Sequence, residues 1–389
     1  MNIKSIAFIL VAATCCSVNG LGQSKVANLC AKDLEAIPGF LLENDTGAKD
    51  ELAQFGQKHF DDALAEAKAT ASQVSDANGC EEALNHYVSA WRKGHLWVSS
   101  APPVPAKPAA GTSPATTAAA PLKHEPKFQI LSDKTILLTL KSFEDENRIP
   151  LIALLQQNHE ALANHPNWII DVRGNGGGSD TTYRPILAWL LPDETVSVGM
   201  EWLATPANLQ AYKDICGSID HGDPECKKYS DAVVARMRNA PTGSLVPQYD
   251  SGSISFDRQK PLEPHRPSRV AILIDRWGGS SCEQFLLDAR QSFNVKLIGQ
   301  HTFGALDYSN LVAFALPSGE RLLWYATSRS LRIPDDPVDL TGIPPDIYLP
   351  LAPGEHANEE EVVRVQRWLE GGSLAPRKTE SNSKVPDGN

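Results

Sequence analysis

Two glycine-rich turns, each following an apolar run, hold the residues of this chain best suited to chemistry. The later turn is Gly278-Gly279-Ser280-Ser281-Cys282-Glu283, closely after Val270-Ala271-Ile272-Leu273-Ile274. A short apolar run ending near Gly-Gly reads as a buried parallel strand entering a tight turn. Gln284 to Arg290 then carry apolar groups at helical spacing. Ser280 therefore stands in front of a helix N-terminus, where unpaired N–H groups and the helix dipole favour negative charge. A nucleophilic serine and the oxyanion it generates need that environment. Ser280-x-x-Glu283 also spells a capping box, so these residues alone leave both roles open.

The earlier turn is Asp171-Val172-Arg173-Gly174-Asn175-Gly176-Gly177-Gly178, after the apolar stretch Trp168-Ile169-Ile170. Consecutive glycines let the backbone approach a ligand closely, and amides presented this way can line an anion-binding concavity. No Lys-Ser/Thr follows, and Ser179 stands where a dinucleotide fingerprint needs glycine, so nucleotide binding is a poor fit.

The elements positioning these turns follow from pattern. At 389 residues the chain can form one large domain and a smaller one. Phe60, Leu64 and Ala67, and then Leu84, Tyr87, Val88 and Trp91, recur at helical spacing, which predicts a helical domain over 21–98. Residues 99–126 are rich in Pro, Ala and Thr and read as a semi-extended linker. Beyond it, strand is expected over Ile130–Leu140 and helix over Leu151–Leu162, with further strands at Arg321–Ala326 and Asp346–Leu349. Strand-helix-strand order over 127–372 predicts an α/β core with parallel pairing. The polar tail, 373–389, reads as disordered.

A hydrophobic share of 42% is ordinary for a globular protein, and the net charge of −11 argues against nucleic acid or an anionic membrane as partner. Residues 1–20 read as an export signal: Lys4, an apolar Ile6–Ala13 core too short to span a bilayer, and a candidate cleavage region at Val18-Asn19-Gly20. A periplasmic or secreted location follows, with no integral membrane span. Cysteine usage agrees: Cys30 with Cys80, and Cys216 with Cys226, are the candidate disulfides, leaving Cys282 as a small buried residue. No metal or cofactor is implied, and the oligomeric state is left open.

Taken in order, the two turns, Gly299-Gln300-His301-Thr302-Phe303-Gly304 and Gly342-Ile343-Pro344-Pro345-Asp346 resemble the signature segments of the carboxy-terminal-processing (tail-specific) serine peptidases. The resemblance covers about 127–349 and implies a crotonase-like (ββα spiral) peptidase core. It makes Ser280 the nucleophile. One position departs from the family: Ala305 stands where the processing peptidases carry a lysine base, and a serine without a base is a poor nucleophile. The tricorn-like branch uses histidine instead, and Arg92-Lys93-Gly94-His95-Leu96-Trp97-Val98 resembles its histidine segment. The sequence between His95 and the core, a Pro/Ala-rich stretch with no PDZ-like module apparent, also favours the tricorn-like or retinoid-binding-protein-like branch. The resemblance then implies a Ser280–His95–Asp339 arrangement, with Asp336 as a fallback acid. Its oxyanion would be held by the amide of Ser281 and one from Gly176 to Gly178. Asp180 and Asp307 read as surface or turn residues. The implied activity is an exported serine endopeptidase acting on peptides or unfolded protein tails. The alternative is a non-catalytic hydrophobic-ligand carrier on the same scaffold, which Ala305 favours.

Overall fold

The computed structural model describes residues 18–102, 124–192, 194–218, 224–249, 252, 254–258, 266–350 and 357–375. Most of the export signal, most of the Pro/Ala-rich linker and the end of the tail lie outside these residues.

A six-stranded sheet runs in the order Ile347–Tyr348, Val295–Gly299, Arg269–Ile274, Asn167–Asp171, Thr135–Thr139, Lys127–Ile130. All pairings are parallel except the last, an antiparallel edge hairpin. Successive residues face opposite sides of a strand, and both sides are buried here. Ile136, Leu138, Trp168, Ile170 and Ile272 pack toward Phe285, Leu286, Tyr183 and Ile186 of two helices, Ser281–Ala289 and Asp180–Leu190. Leu137, Ile169, Ala271, Leu273 and Ile298 pack toward Val365 and Leu369 of the helix Ala357–Leu369. Double-sided burial is what a parallel sheet requires.

Local chemistry adjusts the sequence expectations. The strand expected over Ile130–Leu140 is a hairpin, because Ser132 Oγ accepts from the amides of Lys134 and Thr135 and turns the chain. The helix expected over Leu151–Leu162 is two, Arg148–Gln157 and His159–Asn164, which part at Asn158. The strand from Arg321 runs on to Ser330, while Ile347–Tyr348 is shorter than expected. Ser99 and Ser100, assigned to the linker, close the strand Trp97–Ser100.

That strand belongs to a second sheet. It pairs with Arg321–Ser330, which also pairs with Tyr308–Ala315 and Met200–Leu203. Helices Val18–Asn44, Ala48–Phe55, Gln57–Ala71 and Ala77–Trp91 cover it, and Leu34, Leu41, Leu84 and Tyr87 share a core with Leu323 and Tyr325. Both expected disulfides form, Cys30–Cys80 across the helices and Cys216–Cys226 between Pro206–Ser218 and Pro224–Asn239.

The junction between helices and sheet rests on a buried ion pair. Arg92 donates to both carboxylate oxygens of Asp45 at 2.6 and 2.8 Å. The Asp45 carboxylate also accepts from the amides of Gly47 and Ala326. Removing one partner of such a pair leaves an uncompensated buried charge. Asp45→Ala should therefore cost about 3–5 kcal/mol, read as a shift in the urea unfolding midpoint; a shift worth less than about 1 kcal/mol, the size of a surface pair, would show that water reaches Arg92.

Candidate active site

Ser280 is the residue before the helix Ser281–Ala289, and its backbone is unusual: φ 56°, ψ −127°. An ordinary N-cap residue adopts the β region. Positive φ at a non-glycine residue is uncommon, and a sharp, strained strand-to-helix turn is how a serine hydroxyl is lifted clear of a sheet. Glu283 does reach back to the Ser280 amide, at 3.3 Å, so a capping box is present but loose, and Ser280 Oγ makes no full hydrogen bond within the cap.

Glu283 does more than cap. Fully buried, it accepts from Thr302 Oγ1 and from the amides of Gly304 (2.8 Å) and Ala305 (2.9 Å). Burial raises its pKa while these donors act in the opposite direction. Ser280 N–H also donates to the Ala305 carbonyl at 3.0 Å. The nucleophile turn is thereby fixed to the segment Thr302–Tyr308.

The glycine turn abuts this hydroxyl. A Cβ on Gly177, where φ is +111°, would lie 2.7 Å from Ser280 Cβ and 3.1 Å from Ser281 N. Gly279 N–H donates to Asn175 O at 3.2 Å and Ser281 Oγ to Gly178 O at 2.9 Å. Asn175, fully buried, shapes the turn by donating to Leu140 O. Its Oδ1 accepts from Gly177 N–H, so of the expected oxyanion donors Gly177 already has a partner. The amides of Ser281, Gly176 and Gly178 donate to no described residue.

His95 reaches the same place from the second sheet, just ahead of Trp97–Ser100. Its Nδ1 lies 2.6 Å from Tyr308 O. A carbonyl can only accept, so Nδ1 carries the proton and Nε2 presents a bare lone pair. Nε2 has no partner among the described residues. Arg92 donates to the His95 carbonyl and stacks its guanidinium on the Tyr308 ring, 4.6 Å from the centroid. Burial, and then the charge of Arg92, lower the His95 pKa to about 4 against the pull of the Tyr308 carbonyl. The imidazole is neutral at pH 7 and able to accept a proton.

His95 and Ser280 line one cavity of about 850 Å³, together with Ser281, Asp180 and Arg332. No hydrogen bond joins Ser280 Oγ to His95, and base–nucleophile bonds often tighten only when substrate is present. Ala305 occupies the place of the expected lysine, and that place is filled. A Cβ on Gly94, with φ +87°, would lie only 3.1 Å from Ala305 Cβ. The histidine loop sits where a longer side chain at 305 would have to pass.

The acid departs from a direct Ser-His-Asp relay. Asp339 does not touch His95. Its Oδ1 accepts from the amides of Leu306 and Asp307 (2.7 Å), and its Oδ2 is buried without a partner. Asp307 reciprocates: fully buried rather than at the surface, its Oδ2 accepts from the amides of Val338 (2.6 Å) and Asp339 (2.8 Å). Burial raises both carboxyl pKa values; the charge of Asp339 raises that of Asp307 further, while the amides that Asp339 accepts from and the charge of Arg92 act against its own rise. Asp336 is exposed and takes no part in the hydrogen bonds of this clasp. Asp180, also expected at the surface, lines the cavity, with its carboxylate against Ser281 and Tyr183. Cys282 is buried, its thiol pKa pushed well up by burial, as befits a packing residue.

Several contributors carried no signal in the sequence. Tyr308 acts through its carbonyl, which any residue would supply. Asp45 is an unremarkable acid at a helix end. Glu283 looked like half of a cap.

Comparison with known proteins agrees with this geometry. The description "Peptidase family S41" matches residues 134–349, more than half of the chain. The chain belongs to peptidase family S41. It is therefore placed among serine peptidases, and peptides or proteins are the substrate class of its family. Mature CPAF has a similar structure, at 11% identity and TM-score 0.59, covering 90% of this chain and 100% of that one. CPAF complexed with lactacystin aligns at 10% identity and TM-score 0.54, covering 90% and 98%. These likenesses show a shared fold. No curated protein sequence matches.

The lowered His95 pKa has a consequence for stability. Below about pH 6.5 the unfolded chain takes up a proton that folded His95 refuses until about pH 4, so stability falls as pH drops through that window. The shift amounts to roughly 3 kcal/mol. His95→Gln should therefore lose less stability than wild type between pH 7 and pH 4.5 in urea titrations; equal losses would mean that His95 titrates normally.

Proposed function

We propose that this chain is an exported serine endopeptidase that hydrolyses peptide bonds in peptides or protein tails. Ser280 Oγ attacks the scissile carbonyl, and His95 Nε2 takes the hydroxyl proton and later returns it to the leaving amine. The developing oxyanion is held by the Ser281 amide with an amide of the glycine turn, Gly176 or Gly178 being better placed than the engaged Gly177. Tyr308 O fixes the imidazole tautomer. Asp339 acts at one remove, by holding the amides of the segment whose carbonyl orients His95. The core is read as a crotonase-like spiral, with residues 21–98 as an N-terminal helical domain packed on its second sheet.

The observation that carries this reading is the bare Nε2 of a neutral histidine sharing a cavity with a serine at positive φ whose hydroxyl is only loosely engaged in its cap. A purely ligand-binding role draws its support from Ala305; the neutral His95, in a loop packed against that residue, supplies the alternative base that the peptidase reading needs. Export is supported by both disulfides and by the apolar stretch at the start of the sequence. No helix among the described residues is long and apolar enough to cross a membrane.

Ser280→Ala and His95→Ala should each lower peptide hydrolysis by ~10⁴-fold or more and abolish labelling by a fluorophosphonate probe. Retained hydrolysis in either variant would remove that residue from the mechanism.

Asp339 gives a sharper test of the indirect route. Asp339→Asn keeps the acceptor for the Leu306 and Asp307 amides and should retain activity within about tenfold, since one neutral acceptor replaces one charged one. Asp339→Ala should lose ~10²-fold, as expected when a positioning contact is lost. Equal, severe losses in both would mean that the carboxylate charge itself assists His95.

A further inference from the structure

The cavity in front of Ser280 has a charge opposite to that of the protein. The chain carries −11 overall, yet the charged groups lining this cavity are Arg148, Arg184, Arg332 and a single acid, Asp180. A cleft of one sign with low-dielectric walls concentrates ligands of the other sign.

Arg332 is the member of this set whose guanidinium is held directly by neutral oxygens, with the carboxylates of Asp307, Asp288 and Asp336 acting on it only as electrostatic neighbours. Its Nη2 donates to Gln284 Oε1 at 3.1 Å and its Nη1 to Ser330 Oγ at 3.3 Å, both neutral oxygens. It makes no ion pair with any described residue. Other arginines with little exposure behave differently: Arg92 pairs with Asp45, Arg173 with Asp171 and Glu361, Arg321 with Asp33. The nearby carboxylate of Asp288 is kept off Arg332 by Gln284, whose Nε2 donates to Asp288 Oδ1 at 2.9 Å while its Oε1 faces the guanidinium. Arg184 is exposed and has Asp180 as an electrostatic neighbour.

Position completes the case. Gln284 lies four residues after Ser280, one turn along the same face of the nucleophile helix. Arg332 is thereby tied to the helix that Ser280 precedes, and both line the same cavity. A half-buried guanidinium with its charge unpaired is costly to a fold, and it is the side chain best suited to a bidentate carboxylate.

We propose that Arg332 determines substrate specificity by receiving a carboxylate of the bound peptide in the subsite beside Ser280. The inference rests on the peptidase reading of this site. The carboxylate can come from an acidic side chain flanking the scissile bond or from the C-terminus of the peptide itself. The two sources share the same chemistry and are told apart below.

The test compares fluorogenic peptides matched except for Asp against Asn, or Glu against Gln, near the cleaved bond, each with a free or an amidated C-terminus. Wild-type protein should prefer carboxylate-bearing peptides by ~10- to 100-fold in kcat/KM, the range for a hydrogen bond to a charged group. In Arg332→Gln that ratio should fall to near one, and Arg332→Lys should restore part of it. Loss of the preference on side-chain amidation assigns the subsite to an acidic residue; loss on C-terminal amidation assigns it to the chain end. A ratio near one in wild type, or an unchanged ratio in a folded Arg332→Gln that still labels with fluorophosphonate, overturns the proposal. Calorimetric titration of Ser280→Ala with the same peptides reads the preference without turnover. Failure of wild type to hydrolyse or label would count against the peptidase reading, while the binding ratio would still decide the role of Arg332.

Discussion

The site depends on one short segment, Thr302–Tyr308, being held by carboxylates at both ends. Buried Glu283, one turn into the nucleophile helix, takes the hydroxyl of Thr302 and the amides of Gly304 and Ala305. At the other end Asp339 takes the amides of Leu306 and Asp307, and Asp307 returns the contact to Val338 and Asp339. Carboxylate–amide bonds are charge-assisted and stronger than neutral ones. The segment also accepts from Ser280 N–H through Ala305 O and orients His95 through Tyr308 O. Ser280 and His95 lie next to different sheets, and this is a piece of backbone in contact with both.

Replacing a carboxylate by a carbonyl as the partner of His95 changes the electrostatics of the base. A buried carboxylate on Nδ1 would favour the imidazolium; a carbonyl orients the ring while giving its charge less support, and Arg92 opposes that charge further. The arrangement keeps the resting base neutral over a wide pH range and leaves stabilisation of the transient imidazolium to more distant groups. The missing lysine belongs to the same design. Gly94 lies close against Ala305, so the loop carrying His95 packs directly on the position where the processing peptidases carry lysine.

Much of this was legible in the sequence because parallel strands and glycine turns have strong local signatures. The runs before Asp171 and Ser280 became neighbouring parallel strands, with Asp171 paired to Leu273, and both disulfides followed from cysteine positions alone. The motif around Gly342 proved to be packing chemistry: a Cβ there would lie 2.3 Å from Thr302 O, and Ile343 N–H donates to Thr302 Oγ1. What stayed hidden was long-range or carried by the backbone. Arg92 meets Asp45 across 47 residues, and the partner of His95 is a main-chain oxygen 213 residues away. The expectation for Asp307 failed because a buried acid satisfied by amides looks, in sequence, like an acid in a turn.

The conformation of Ser280 bears on the two roles its sequence left open. A non-glycine residue held in a sparsely populated backbone region costs of order 1–3 kcal/mol and persists only where its surroundings over-determine it. Here they do. Its own amide is held by Ala305 O and Glu283, the amide before it by Asn175 O, and Gly177 leaves no space for a Cβ beside it. A helix cap needs none of this, since a serine in the β region caps as well without strain. What the conformation leaves is a loosely capped hydroxyl lining a cavity, beside the Ser281 amide, which has no acceptor among the described residues. Those features are compatible with the proposed nucleophile role.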